Sequence, residues 1–296
     1  MSQTPEISLV ILNWNNKDLL RKCLQTIEQH KPSVEMEIIM VDNASEDGSQ
    51  NMVEQEFPHV QLMKNEDNIG YAAGNNVGIN AATGKYTFLL NEDIELTNNI
   101  IQTLYTYLEE HPEVGGVSPR LQYGDGSTQY SCRAFPTIGR LYKQLAVDLH
   151  IAPATEFWGE YKMSFWKHDD TREVDQPMTT AFMLSTALLQ KLKGFDEDFS
   201  HYFNDVDLAY RIKVKEKKKI LFIGDKGHII HHHGQGMKKL KWGRVKVWNM
   251  GLRRFYKKHY VSSSFSPAYI LLQIGLMIRT AVLGVQYLVK KGKTKY

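Results

Sequence analysis

The sequence predicts an α/β fold: a Rossmann-like, mostly parallel central sheet flanked by helices, with extra helices at the C-terminus. Three observations carry this. Short strand-like runs (Ile7–Leu12, Glu37–Val41, Val60–Met63 and Tyr86–Leu90) recur through the first third of the chain. Stretches of helical length separate them, and that alternation builds right-handed βαβ units. At 42% apolar and 23% charged residues over 296 positions, the composition excludes disordered, collagen-like and polytopic membrane classes.

The first run is a buried strand, and Asp18–His30 reads as an amphipathic helix stopped by Lys31-Pro32. After the second strand, the polar turn Asp42–Gly48 opens another helix, and Gly70–Ala82 is small and helical. Arg120–Tyr123 and Ser127–Arg133 flank Gly124-Asp-Gly126 and predict a hairpin. Residues 134–176 show no clear period and are expected to be irregular, on the acceptor side of a site. Thr179–Leu184 is a strand, followed by a short helix ending at Gly194. Asp205–Lys215 is helical and Ile220–Ile223 a strand. Lys238–Tyr260 is a basic helix with Trp242, Trp248, Phe255 and Tyr256 at near-helical spacing.

In parallel sheets ligands bind beyond the carboxyl ends of the strands. Those ends are polar here: Asn13-Trp14-Asn15, Asp42-Asn43, Asn65–Gly70 and Asn91-Glu92-Asp93. One such end is ordinary turn chemistry; four on one sheet edge point to a nucleotide. No G-x-G-x-x-G follows the first strand and no Walker-type loop is present, which argues against a dinucleotide-dependent enzyme and a P-loop NTPase. An acidic pocket needs a divalent cation before it can hold a diphosphate, and Asp93 is placed to bind Mg²⁺ or Mn²⁺. The alternative is that Asn91 and Asp93 cap a helix beginning near Thr97.

Two further clusters stand out. Asp205 and Asp207 start a helix, where carboxylates are favoured, and a carboxylate there can take a proton from a hydroxyl. In Gly227–Gly234, alternate side chains of an extended segment point to opposite faces, so at most His231 and His233 share a side. A solvated turn is the competing reading of this histidine run.

Taken together, Ser8–Asn15, Val41–Ser45, Asn68–Gly78, Leu89–Asp93, Gly194–Phe199 and Tyr202–Leu208 resemble the family 2 glycosyltransferases of GT-A fold. The nearest branch is the rhamnosyltransferase-like enzymes of bacterial cell-surface polysaccharide synthesis. The resemblance implies that Asn13 lies beside the base and ribose and that Asp42 contacts the nucleoside. It implies that Asn68 and Gly74 close over the nucleoside and that Asn91 belongs to the donor site. Asn91-Glu92-Asp93 stands where the family has its metal-binding D-x-D, with Asn in the first position. Asp93 and His231 would then hold the metal, and Asp205 would be the catalytic base, its acidity lowered by neighbouring Asp207. The family usually has Glu where Asn204 stands. The implied reaction is a single inverting displacement from a nucleotide-diphosphate sugar, dTDP-rhamnose being the best match, onto a glycan or polyprenyl-diphosphate-linked acceptor. The catalytic domain would run over residues 1–236, its donor half over 1–115 and its acceptor half over 116–236.

Charge is distributed unevenly. Residues 1–207 hold 15 Lys+Arg against 31 Asp+Glu, and residues 208–296 hold 21 against 2. The apolar stretch Phe265–Val289 is long enough to span a bilayer, yet Arg279 in it disfavours spanning. An interfacial helix on anionic lipid is expected, with a packing helix or a homodimer contact as alternatives. The absence of a basic N-terminal leader and the presence of only two cysteines, Cys23 and Cys132, suggest the cytoplasm. The enzyme is therefore expected to be peripheral on the inner face of the membrane. A nucleic-acid-binding protein would explain the basic third and not the acidic strand ends, so no nucleic-acid partner is expected. A nucleotidyltransferase would show a Gly-rich basic loop after its first strand.

Overall fold

The computed structural model describes residues 4–199, 202–232 and 241–293. Four parallel strands form one half of the main sheet: β1 (Ile7–Asn13), β2 (Met36–Asp42), β3 (Gln61–Lys64) and β4 (Tyr86–Asn91). Their connections are α1 (Lys17–Gln29), α2 (Ser49–Glu56) and α3 (Tyr71–Ala81). β5 (Ile94–Leu96) follows β4 directly, so the helix expected near Thr97 begins only at Ile100, as α4 (Ile100–Glu110). β6 (Val114–Gln122) and β7 (Thr128–Gln129) make the expected hairpin around Gly124-Asp-Gly126.

Residues 134–176 are not irregular throughout. After β8 (Cys132–Arg133) the chain forms α5 (Ile138–Asp148), capped by the Thr137 hydroxyl, and then β9 (Arg172–Glu173) and β10 (Gln176–Pro177). Ile138, Leu141, Tyr142 and Leu145 follow helical spacing, and their face meets the C-terminal helix, so the α5 pattern completes no core within its own neighbourhood. β11 (Ala181–Ser185), α6 (Thr186–Lys191) and α7 (Asn204–Tyr210) come next, the last continuing as a π turn over Arg211–Lys215. β12 runs the length of Lys219–His231, far past the four residues expected. Its register with β6 shifts between Ile223 and His228, around Gly224 and Gly227, and the strand then resumes. The chain ends in α8 (Lys241–His259) and α9 (Pro267–Lys293).

The strand order is β3-β2-β1-β4-β11-β6-β12-β5, with β11 antiparallel to both neighbours and β12 parallel to β6. One apolar layer packs α1, α2 and α4 on the sheet through Leu20, Leu24, Val53, Leu104 and their neighbours. The other gathers α3, α6, α7, α8 and α9 through Ile79, Leu189, Leu208, Leu252, Phe255 and Leu272. The boundary expected at 236/237 falls outside the described residues. The side chain of Trp242 also lies outside them.

The basic third folds back on the acidic body. Lys258 meets Asp196 and Asp207, Arg254 meets Asp198, and Lys213 meets Glu173 and Asp175. Part of the charge imbalance along the chain is thus met within the fold.

Close approach fixes two glycines of α3. A Cβ at Gly78 would lie 2.5 Å from Val10 Cγ1, and one at Gly74 would lie 2.5 Å from Leu12 Cδ1. Helix-interior Gly→Ala usually stabilises by roughly 0.5–1 kcal/mol. Here Gly78→Ala should instead destabilise by about 1–3 kcal/mol, the cost of overpacking, as read by urea denaturation.

Candidate active site

The sheet register places the strand ends side by side. Asn13 sits opposite Asp42, and Leu12 opposite Asn91. Asn13 Nδ2 donates to Asp42 Oδ2 at 2.9 Å and to Ser45 Oγ at 3.1 Å. Asp42 also accepts from Ser45 N at 2.8 Å and Gln50 Nε2 at 2.6 Å. Its fully buried carboxylate is therefore engaged with the protein, bracing the loops after β1 and β2. The buried Asn13 Oδ1 has no hydrogen-bond partner. Next to it Trp14 is exposed, and Ile69 is exposed beside Asn68. Asn43 Nδ2 reaches Asn68 Oδ1 at 3.3 Å and Gly70 O at 3.1 Å, tying the loop after β3 to the end of β2. Gly74 differs from the expectation of a loop that closes over the nucleoside. It lies inside α3, buried on Leu12 and Asn43, and its small size serves packing.

Around Asp93, antiparallel pairing of β5 with β12 sets His231 opposite Ile94. The histidine run is no solvated turn up to this point. His231 is buried in the strand, with Nε2 3.1 Å from Asp93 Oδ1 and Nδ1 2.8 Å from Gln129 Oε1. The next residue, His232, points elsewhere, to Glu95 at 2.8 Å, and His233 lies outside the described residues. Gln129 Oε1 can only accept, so Nδ1–H donates to it. This leaves Nε2 facing a carboxylate oxygen. An imidazole oriented through its other nitrogen beside a carboxylate is the donor set of a divalent cation. Among the described residues no third His, Cys, Asp or Glu joins them, so phosphate or water oxygens would complete the shell. Asn91 is half-buried and accepts weakly from Tyr71 Oη, at 3.4 Å. Burial and then the Asp93 charge push the Glu92 carboxyl up to about 7, against a hydrogen bond from Asn16.

Asp205 opens α7. Its Oδ2 accepts from Gln176 Nε2 at 2.8 Å and its Oδ1 from Val206 N at 2.8 Å. Burial raises its pKa to about 6, against the Val206 amide and the charge of Arg133. Asp207 does not supply that shift. Its side chain is fully buried and contacts Arg211 Nε, His259 Nε2 and Lys258 Nζ, each at 2.7 Å. Burial alone would raise the Asp207 pKa, but His259, Arg211 and Lys258 together bring it down to about 2. Asn204 spends its Oδ1 on Asp205 N at 2.7 Å, while its buried Nδ2 has no partner.

Three contributors escaped the sequence reading. Gln129 orients His231, and Gln176 holds Asp205. Tyr71, bonded to Thr179 Oγ1 at 3.1 Å, lies where the charges of Asp205, Glu92 and Asp93 all act on its phenol. Tyr71 lies within Asn68–Gly78 and Gln129 within Ser127–Arg133, segments already named for other reasons.

A nucleotide-scale sheet edge carrying Asp93 and His231, with a buried carboxylate across from it, defines the GT-A class of α/β proteins. The Glycosyl transferase family 2 sequence model matches residues 8–165, and the chain belongs to that family. N-acetylglucosaminyl-diphospho-decaprenol L-rhamnosyltransferase of Mycobacterium tuberculosis is 24% identical over 189 residues, covering 59% of this chain and 60% of the relative. O-antigen biosynthesis protein RfbC of Myxococcus xanthus is 22% identical over 235 residues, 77% of this chain and 17% of the relative. The chain thus spans less than two thirds of these relatives. Among solved structures, mannosyltransferase PcManGT from Pyrobaculum calidifontis, in complex with GDP-Man and Mn²⁺, superposes with a TM-score of 0.58. It is 16% identical, covering 100% of this chain and 82% of that one. GalNAc-T7 with UDP, GalNAc and Mn²⁺ gives a TM-score of 0.59 at 14% identity, covering 90% and 53%. These likenesses establish the fold.

The two aspartates should separate in a stability assay. Asp207→Asn strands two cations, Arg211 and Lys258, along with the His259 ring, and should cost about 3–5 kcal/mol, as for breaking a buried ion pair. Asp205→Asn removes a carboxylate that burial disfavours, so thermal unfolding at pH 8 should show no loss of stability. The depressed Asp207 pKa contributes stability above its unfolded value near 3.9. That contribution is lost as pH falls from there towards about 2.

Proposed function

We propose that this chain is an inverting glycosyltransferase that moves a sugar, rhamnose from dTDP-rhamnose, onto a hydroxyl of a polyprenyl-diphosphate-linked glycan in cell-surface polysaccharide synthesis. The observation that carries the reading is a buried carboxyl with pKa about 6, Asp205, and the Asp93–His231 pair, the charges of both aspartates acting on the same Tyr71. The rhamnose donor and the lipid-linked acceptor are supported by the mycobacterial relative's activity.

Asp205 acts as general base. Gln176 and the Val206 amide fix its two oxygens, so one lone pair is directed to the acceptor hydroxyl as that oxygen attacks the anomeric carbon. A pKa near 6 leaves it ionised at neutral pH and still basic enough to share the proton in the transition state. Asn13, with its unspent Oδ1, and the Asn43–Asn68 link present polar groups to the nucleoside. Asp93 and His231 would hold Mg²⁺ or Mn²⁺, which would supply Lewis-acid stabilisation for the departing diphosphate. Tyr71, between the two carboxylate groups, positions a donor at the point where both act.

Membrane association belongs to the same reading. α9 has one stretch, Pro267–Val285, long and apolar enough to cross a membrane. Tyr269, Leu272 and Leu276 of that helix are buried against the domain, while Ile270, Leu271, Ile274, Met277 and Ile278 face outward. Arg279 turns inward to Asn249, at 3.2 Å. A helix packed by one face and apolar on the other suits a leaflet surface better than a span.

Asp205→Asn should lower kcat by about 10²–10⁴ with donor-nucleotide affinity unchanged, and wild-type kcat should fall as pH drops below about 6. Turnover by the Asn variant at the wild-type rate would remove Asp205 as base. Asp93→Ala should lose metal-dependent donor binding by calorimetry, and full activity in EDTA would refute the metal. Replacing Ile270, Ile274 and Met277 by Gln should abolish flotation with anionic liposomes while donor binding persists; wild-type protein that never floats would refute the membrane contact.

A further inference from the structure

We propose that the cavity between α5, α8 and α9 is the acceptor-lipid site, where Arg133 and Arg279 hold the diphosphate and the apolar wall holds the first prenyl units. This rests on the reading that the acceptor is lipid-linked, and it assigns that acceptor a place on the chain.

The cavity measures about 240 Å³. Ile138, Leu141, Leu145, Leu252, Leu272 and Leu276 supply its apolar lining. Its two guanidiniums feel carboxylates only beyond ion-pair reach, Arg279 the charge of Asp148 and Arg133 that of Asp205. Among the described residues no carboxylate lies within ion-pair distance of either Arg133 or Arg279. Arg133 Nη1 donates to the carbonyls of Tyr130 at 3.1 Å and Cys132 at 2.6 Å. Arg279 donates to Asn249 and stacks on Trp248 at 4.1 Å. The one acid in the lining, Asp148, is answered by Lys162 at 2.7 Å. Both arginines are half-buried, and an anionic ligand head in the cavity would meet cations that no ion pair occupies. A pocket with two cations outside any ion pair, Gln144 and Tyr161 beside them and a leucine-rich wall matches an amphiphile with a phosphate at its neck.

The cavity also adjoins the base. Arg133 pairs with Gln176 across the β8–β10 ladder, and Gln176 is the residue that holds Asp205. Tyr161 on the cavity wall lies within the reach of the charges of Arg133, Asp205 and Arg279 alike. A diphosphate held by the arginines therefore sets the attached sugar towards Asp205. The hydrocarbon leaves along α9, whose outward face is apolar.

The test titrates the full-length protein with farnesyl diphosphate and follows Trp fluorescence, since Trp248 lines the cavity. Saturable quenching is expected, lost in Trp248→Phe. Affinity should fall at least tenfold in Arg279→Gln, and also in Gly275→Leu, where a Cβ already lies 3.3 Å from the Tyr142 ring. Farnesol and inorganic diphosphate should each bind at least tenfold more weakly than farnesyl diphosphate. Donor-nucleotide binding, unchanged in each variant, certifies folding; if Arg279→Gln fails that control, Arg279→Lys and Gly275→Leu decide. No binding by the wild type, or binding indifferent to these substitutions, overturns the assignment. Cavity-dependent binding with sugar transfer only to soluble glycans upholds the site and overturns the lipid-linked acceptor of the proposed function.

Discussion

A carboxylate with no solvent access cannot stay charged without cations around it, and Asp207 organises the α7 side of this protein through that requirement. Arg211, one turn along, answers it and carries the bond outward, donating to the carbonyls of Leu192 and Gly194 at 2.8 Å each. Lys258 and His259 answer it from α8. One buried charge therefore joins α7, the turn before it and α8. Asp205 is held in place as a consequence. It begins the same helix two residues earlier, where its own burial keeps it weakly acidic instead of strongly ion-paired. Two aspartates a single residue apart are thus driven in opposite directions by their surroundings, one towards a permanent charge and the other towards proton exchange.

The four-stranded parallel half of the sheet was legible because its information is local. Each parallel strand is a short apolar run ended by Asn or Asp, and period and punctuation sit within a dozen residues of one another. Asn13, Asp42, Asn91 and Asp93 could be placed on one edge from that pattern alone. What stayed hidden depends on distant partners. β5 is three residues long and shows no period. The second half of β12 is interrupted by Gly224 and Gly227, which read as a turn, although the strand passes through a register shift and continues to His231. α5 is amphipathic towards a helix more than a hundred residues later. The partners of Asp207 on α8 lie some fifty residues beyond it, so its neighbour on the chain, Asp205, was the only interaction in view. Gly74 carried the family's motif faithfully, yet its position in α3 shows sterics to be its reason for being small.

The charge asymmetry gives the same lesson at larger scale. An acidic body followed by a basic third looks like a surface waiting for an anion. In the folded chain Lys213, Arg254 and Lys258 are occupied by acidic residues from other segments, so counting along the sequence overstates what solvent meets. Two cations outside any ion pair among the described residues, Arg133 and Arg279, come from opposite sides of the apparent divide and meet in one cavity.

α9 has apolar residues on two sides, one turned to the cavity and the other to the outside. A rigid helix shared between two environments makes them mechanically continuous: a change in tilt or depth at the outer contact shifts Leu272 and Leu276 on the inner wall. For a protein seated on a lipid leaflet, its encounters with an acceptor become a search in two dimensions, and the lateral composition of that leaflet becomes a variable of the reaction.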